Sequence, residues 1–414
     1  MTRMEEWGSR VKAASRILGK MPTGRKNEAL AAIAQALWEN RQEILEANAR
    51  DVAAARENGM REGMIDRLSL DEGRLSGICE AVRKLIQLED PAGVVESGSV
   101  RPNGMFIQKI RVAMGAVGII YESRPNVTVD GATLCLKSGN AVLLRGGKEA
   151  IRSNEAFVRV MRAAAESCGL PADCIVLVED TSRESAREMM RLSGVLDLLI
   201  PRGGAGLIQS VVQNATVPVI ETGVGNCHIY VEQSADPDMA ERILVNAKVS
   251  RVSVCNAAES LLIDEEAAPA LLPRLAAALE QKGVTLYGCP RSRELCPEME
   301  PAEESDYGTE YLDYKMSVKV VSGLDEAITH IARYSTGHSE AIVTRDYEAA
   351  RRFLDEVDSA PGYVNASTRF TDRGEIRFGA DIGISTQKLH ARGPMGLEAL
   401  TTTKYQIYGS GQIR

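Results

Sequence analysis

Apolar residues in the first ninety positions recur three and four apart. Ala29, Ile33, Ala36 and Leu37, then Ile44 and Leu45, form one stripe; Leu75, Ile78, Cys79, Val82, Leu85 and Ile86 form another. That period predicts amphipathic helices over 1–90, the last stopped by Asp90-Pro91. The pattern then changes. Residues 100–112 carry a Pro-Asn-Gly turn and a loosely alternating run, which predicts a hairpin or extended arm. From 115 onward, continuous apolar runs at 115–121, 141–145, 174–178 and 196–200 alternate with helix-like stretches at 129–138, 150–168, 182–193 and 205–214, the first three closed by Gly139, Gly169 and Gly194. Such runs predict a parallel sheet covered on both faces.

A second α/β section follows, with strands expected at 227–231, 259–263, 318–321, 341–344 and 363–364. Its helices are expected at 236–249, 265–282, 324–333 and 346–356. Residues 285–315 are acidic and contain prolines, and they read as surface loop. The segment 400–408 is β-prone with no helix after it, so it is expected to pair with the 100–112 arm, in the same chain or on a second subunit.

With 414 residues the chain exceeds one compact core, and two or three domains are expected. A hydrophobic fraction of 44%, a charged fraction of 26% and a net charge of −8 describe an ordinary globular protein without the basic tract that nucleic acid requires. No apolar run approaches the roughly 20 residues that span a bilayer. The charged start, Met1-Thr-Arg-Met-Glu-Glu-Trp7, is unlike a signal peptide, which points to a cytoplasmic chain. The eight cysteines form no C-x-x-C pair, so no metal site is expected and reduced thiols are.

Cys255 stands out among them. It lies at the mouth of the strand expected at 259–263, beside Asn256, where a thiolate is a candidate nucleophile. Neither G-x-G-x-x-G nor a P-loop is present; Gly146-Gly147-Lys148 is followed by Glu149 rather than Ser or Thr. Two other turns suit a phosphorylated nucleotide. One is Arg145-Gly146-Gly147-Lys148, with two cations after a strand. The other is Pro201-Arg202-Gly203-Gly204, which leads into a helix start.

A series of longer motifs carries a resemblance. They are Tyr121-Glu-Ser-Arg-Pro-Asn-Val-Thr128, Leu134 to Glu149, Asn246-Ala-Lys248 leading to Val254-Cys-Asn-Ala257, Gly337 to Thr344, Val364 to Asp372 and Ser385 to Gly396. Their order resembles that of the γ-glutamyl phosphate reductase (glutamate-5-semialdehyde dehydrogenase) family, a branch of the aldehyde dehydrogenase superfamily, over nearly the whole chain.

The resemblance implies an α/β, aldehyde-dehydrogenase-like fold: two parallel-sheet domains plus a small β oligomerisation arm. Residues 1–99 and 113–225 would bind NADPH, 226–365 would form the catalytic domain, 100–112 and 395–414 the arm, and 366–394 a return segment. It implies NADPH-dependent reduction of L-glutamyl 5-phosphate to L-glutamate 5-semialdehyde in proline biosynthesis, in a homo-oligomer. Transient contact with a separate glutamate 5-kinase is a further expectation.

Position by position, Cys255 matches the nucleophile and Asn126 the oxyanion-stabilising amide. Lys148 falls at the lysine on the adenosine ribose or its phosphate, 201–204 at the pyrophosphate turn, and Glu310 at the nicotinamide ribose. Glu221 falls at the general base of oxidising members, a role that a reaction without water does not require, so it is either catalytic or structural. Arg124, Asn256, Ser367, Thr368 and Arg369 are candidates for the substrate's phosphate and carboxylate; interdomain ion pairing is the competing reading of the arginines.

Two departures from the family pattern are 249–253 (Val-Ser-Arg-Val-Ser), before the thiol, and Arg373. An oxidising aldehyde dehydrogenase or another acyl reductase of the same fold is the alternative enzyme; a silent scaffold and a redox-sensing thiol are the alternatives of other classes.

Overall fold

The computed structural model describes residues 1–371 and 382–414. The described residues divide into two compact units, 1–222 with 382–383 and 394–414, and 223–371 with 384–393.

In the first unit the predicted helical start becomes α1 (Arg3–Leu18), α2 (Thr23–Glu39), α3 (Arg41–Glu57), α4 (Glu62–Leu68) and α5 (Glu72–Gln87). Of the stripe residues, Ala29, Ile33, Leu37, Ile44, Leu75, Ile78, Cys79, Val82 and Leu85 are buried, and Ala36, Leu45 and Ile86, at the stripe margins, are half-buried. The chain then forms β1 (Val95–Val100), β2 (Phe106–Ala113) and β3 (Ala116–Tyr121), followed by α6 (Pro125–Lys137), β4 (Ala141–Arg145) and α7 (Ile151–Ser167). β5 (Ile175–Leu177), α8 (Arg183–Met190), β6 (Leu198–Arg202) and α9 (Ala205–Asn214) complete the series. The sheet is parallel in the order β5-β4-β3-β6. Every residue of β3 and β4 is buried, which is why those strands read as unbroken apolar runs. Gly139, Gly169 and Gly194 take φ values of 83°, 80° and 78°, the left-handed closure expected after a helix. α6 begins four residues earlier than its periodicity suggested, because Pro125 presets the first helical φ; Asn126 therefore lies in the first turn.

The second unit holds β7 (Cys227–Val231), α10 (Pro237–Val249), β8 (Ala258–Asp264), α11 (Ala268–Glu280), β9 (Thr285–Gly288) and α12 (Pro290–Leu295). β10 (Glu300–Pro301), β11 (Lys315–Val321), α13 (Leu324–Tyr334), β12 (Glu340–Val343), α14 (Tyr347–Glu356) and β13 (Gly362–Val364) follow. Among the described residues these strands form a seven-stranded sheet, β10-β9-β11-β8-β7-β12-β13. The surface-loop expectation for 285–315 is corrected here. β9, α12 and β10 lie within it, and Leu286, Cys289, Cys296 and Met299 are buried in the same core as β8 and β11. The strands are only two to four residues long, too short to show a period among the acidic residues.

The last strand, β14 (Thr401–Tyr408), belongs to the first unit. It pairs antiparallel with β2 of its own chain, from Thr401 opposite Ala113 to Tyr408 opposite Phe106. β1 pairs with the other edge of β2, so the 101–105 turn closes a hairpin. Of the two partners that the sequence left open for the tail, the structure takes the one in the same chain. Tyr405, Ile407 and Tyr408 stay exposed. Among the described residues no helix is long and apolar enough to cross a membrane.

His330 on α13 is buried among His228, Tyr307 and Tyr334, and neither ring nitrogen has a hydrogen-bond partner. Burial, reinforced by His228, pulls its pKa down to about 3. A folded pKa below the unfolded value means that the folded chain binds fewer protons. The stability is therefore fully present above about pH 6.5 and is lost as pH falls toward 3, with a slope of about 1.4 kcal/mol per pH unit for one proton. Urea unfolding between pH 7 and 4 should show that fall, and His330→Phe should flatten it; an unchanged slope would remove His330 as its source.

Candidate active site

β3 delivers the chain into α6 through Glu122, Ser123 and Arg124. Ser123 has φ 42°, an uncommon backbone for a residue with a side chain. The Glu149 carboxylate holds it there, accepting from the Ser123 N–H at 2.7 Å and from its hydroxyl at 2.8 Å. Arg124, half-buried, is the residue before the helix, and Pro125 opens the first turn. The half-buried Asn126 donates from Nδ2 to Asp130 Oδ2, one turn on, at 3.0 Å. An amide has two N–H donors; Asp130 orients the group through one of them.

Two turns flank that segment at the carboxyl end of the sheet, because β4 and β6 lie on either side of β3. At the end of β4, Arg145 is buried and donates to the Thr181 and Ser182 carbonyls at 2.6 and 2.7 Å. Its guanidinium thus ties β4 to the start of α8. Gly146 presses onto a buried polar chain: a Cβ there would lie 2.2 Å from Asn154 Nδ2. Asn154 Oδ1 accepts from Thr128 at 2.8 Å, and Thr128 meets the Tyr121 hydroxyl at 2.7 Å. Gly147 follows, and Lys148 is exposed. At the end of β6, Pro201 and Arg202 lead through Gly203 to Gly204, which precedes α9 and gives it no side-chain cap. Glu122 Oε2 accepts from the Gly204 N–H at 3.0 Å, placing negative charge at the helix start. The half-buried Glu221 follows Ile220, whose N–H donates to Leu199 of β6 at 3.0 Å.

In the second unit Cys255 sits half-buried in the turn between α10 and β8. Six of the other seven cysteines are buried. Burial raises the thiol pKa of Cys135 and Cys227 far above the ordinary range and that of Cys174 to about 12, which keeps them protonated and inert. The Cys255 turn is fastened through its backbone. Cys227 Sγ donates to the Cys255 carbonyl at 3.2 Å. Gly225 packs so close that a Cβ would lie 1.4 Å from the same oxygen. Only glycine allows that approach. The Gly225 N–H donates to Glu310 Oε1 at 2.8 Å.

The 367–371 segment closes the other side. Asn256 Nδ2 donates to the Thr371 carbonyl at 2.7 Å, Thr368 donates to the Asn256 carbonyl at 2.7 Å, and Arg369 donates to Asn256 Oδ1. Arg369 Nε also reaches Ser250 at 3.0 Å, in the segment that departs from the family pattern, while Ser367 accepts from the Arg369 N–H at 3.3 Å.

The structure therefore gathers Arg124, Asn126, 145–148 and 201–204 at one sheet edge of the first unit. It gathers Cys255, Asn256, Glu310 and 367–369 in the second. Asn256 and Thr368 hold the Cys255 turn in shape. Arg373 lies outside the described residues. Glu122, Glu149, Asp130 and Gly225 were not anticipated. Single acidic residues and lone glycines carry no spacing signal, and their partners lie up to 85 positions away.

Gly225→Ala should leave the unit folded but displace the Cys255 backbone. Alkylation of Cys255 and turnover should fall together, turnover by on the order of a hundredfold. A variant with normal rates would show that this contact does not position the thiol.

Comparison with known proteins identifies the family and the fold. The aldehyde dehydrogenase family matches residues 4–287. The chain is 58% identical over 405 residues to the γ-glutamyl phosphate reductase of Carboxydothermus hydrogenoformans, covering 98% of each chain. It is 58% identical over 407 residues to that of Moorella thermoacetica, covering 98% of this chain and 97% of that one. The crystal structure of γ-glutamyl phosphate reductase from Thermotoga maritima superposes with a TM-score of 0.96 at 49% identity, covering 100% of both chains. An acetylating aldehyde dehydrogenase from Geobacillus thermoglucosidasius, 17% identical with a TM-score of 0.73 over 100% of this chain and 97% of that one, shares the fold. With its parallel sheets, its strand-end turns and a half-buried cysteine before β8, this chain belongs to the γ-glutamyl phosphate reductase family within the aldehyde dehydrogenases.

Proposed function

We propose that this chain catalyses the reduction of L-glutamyl 5-phosphate to L-glutamate 5-semialdehyde with release of phosphate, the second step of proline biosynthesis. NADPH is the reductant and Cys255 the nucleophile. The observation that carries this reading is a half-buried thiol in a backbone-fastened turn, in a chain 58% identical to γ-glutamyl phosphate reductases across 98% of its length.

The Cys255 thiolate bonds to the acyl carbon; the bond to the phosphate oxygen breaks, and phosphate leaves with the electron pair. It is a good leaving group and needs no strong acid. The amide of Asn126 and the Cys255 N–H are the oxyanion donors in this reading, one such donor contributing about 3 kcal/mol. Asp130 acts on Asn126 by orienting it. Arg124 and Arg369 are the candidates for the substrate's anionic groups, with Asn256, Ser367 and Thr368 shaping the loop that carries Arg369.

A phosphorylated dinucleotide fits the first unit's turns. They offer the exposed Lys148, two glycines where the backbone can approach, and the start of α9 beyond the Gly204 N–H, which Glu122 takes. Lys148 is assigned to the adenosine ribose or its phosphate, 201–204 to the pyrophosphate and Glu310 to the nicotinamide ribose. NADPH, when bound, would supply the hydride that converts the thioester to the aldehyde, with the C–S bond breaking to return the Cys255 thiolate. No water enters, so Glu221 has no water to activate and is read as structural. A separate cytoplasmic glutamate 5-kinase is the source of the short-lived acyl phosphate.

Phosphate-dependent reduction of NADP⁺ with glutamate semialdehyde, the reverse reaction, tests the activity. Cys255→Ala should abolish it while NADPH binding stays near normal; substantial residual turnover would remove the thiol from the mechanism. An enzyme that turns over with coenzyme A in place of phosphate would instead favour another acyl reductase of the same fold.

The three-stranded arm is read as the oligomerisation element. Its outer strands β1 and β14 present unpaired edges, and β14 exposes Tyr405, Ile407 and Tyr408. Removing 401–414 should give a smaller species, or aggregates, in sedimentation; an unchanged assembly would place the subunit contact elsewhere.

A further inference from the structure

A fully buried ion pair lies behind the Cys255 turn, and the mechanism above does not use it. Lys248, on the last turn of α10, donates from Nζ to Glu259 Oε2 on β8 at 2.5 Å, and both side chains are 0% exposed. Such a pair is a poor stabiliser, because desolvating both charges cancels most of their attraction and an apolar pair of similar size fills the space as well. Burial raises the Glu259 carboxyl to about 7 and lowers the Lys248 ammonium, each partner opposing the other's shift.

The second carboxylate oxygen points to another role. Glu259 Oε1 accepts from the N–H of Leu312 at 3.1 Å, and Leu312 has φ 53°. Leucine rarely takes this left-handed backbone, so surrounding contacts have to hold it. Two residues earlier in the same loop is Glu310, whose Oε1 accepts from Gly225 N–H at 2.8 Å. Gly225 in turn packs on the Cys255 carbonyl. Lys248, Glu259, Leu312, Glu310, Gly225 and Cys255 thus form one connected series within the second unit.

We infer that the Lys248–Glu259 pair is a positioning device: through Leu312 it fixes the Glu310 carboxylate for the nicotinamide ribose. The ammonium fixes one carboxylate oxygen so that the other faces Leu312. The role of Glu310 rests on the function proposed above; the positioning of its loop rests on the contacts alone.

The experiment replaces the pair jointly, Lys248→Met with Glu259→Leu, so that no buried charge is left unpaired and the core stays filled. Amide hydrogen exchange is followed at Leu312 and Gly225, with core amides of β11 as the reference. KM for NADPH and kcat are measured in parallel. Exchange at Leu312 and Gly225 should quicken about tenfold or more while β11 is unchanged. KM for NADPH should rise about tenfold with a smaller loss of kcat. Adding Glu310→Ala to the double variant should raise KM little further, since the two changes act through one group.

Unchanged exchange at Leu312 and Gly225 in the folded variant would overturn the inference. So would additive effects of Glu310→Ala and the pair replacement. Faster exchange with no change in KM, when Glu310→Ala alone also leaves KM unchanged, would leave the positioning standing and refute the ribose assignment. If Glu310→Ala alone raises KM and the pair replacement does not, the inference fails and the ribose assignment survives.

Discussion

A parallel sheet has to be covered on both faces, and most of this protein follows from that requirement. Its backbone ladder leaves no solvated side, so β3 and β4 are buried along their whole length and the helices carry the polar surface. Consecutive parallel strands also need a crossover, which places each strand's carboxyl end beside the start of a helix. In the first unit those ends hold the glycine turns after β4 and β6 and the Ser123 bend after β3. The site is built where the sheet stops, because there the backbone N–H groups leave the ladder and can meet a ligand.

The same economy governs the thiol. Burial makes the ionised form of several cysteines costly, Cys135 and Cys227 among them, whereas Cys255 lies half-buried in a turn. That turn holds its shape mainly through main-chain contacts: the Cys227 thiol, the bare Cα of Gly225, the Asn256 amide and the Thr368 hydroxyl all act on backbone atoms. The turn that carries the candidate nucleophile is thus held by the side chains of its neighbours acting on main-chain atoms.

Buried and half-buried acidic residues recur as fasteners within each unit. Glu149 holds Ser123, Glu122 the start of α9, Asp130 the Asn126 amide, and Glu259 the Leu312 N–H. In each case a carboxylate accepts from a group whose placement sets a loop. Charge-assisted bonds of this kind are short and directional, which suits loops that lack a ladder of their own.

The sequence by itself determined the helical start, the two parallel sheets, the glycine closures and the position of the candidate nucleophile. Apolar period and turn chemistry are local properties, and the long motifs around Asn126, Cys255 and 364–372 are contiguous. The tertiary structure alone decided the rest. It turned 285–315 from loop into sheet edge, because strands of two to four residues carry too few positions to show a period. It paired β14 with β2 of the same chain, a choice between partners of equal β-propensity that only chain geometry can make. It gave Arg145 to the carbonyls before α8 and Glu259 to Leu312, 53 positions away. Those pairings depend on distances in space across a folded sheet, and no spacing along the chain encodes them.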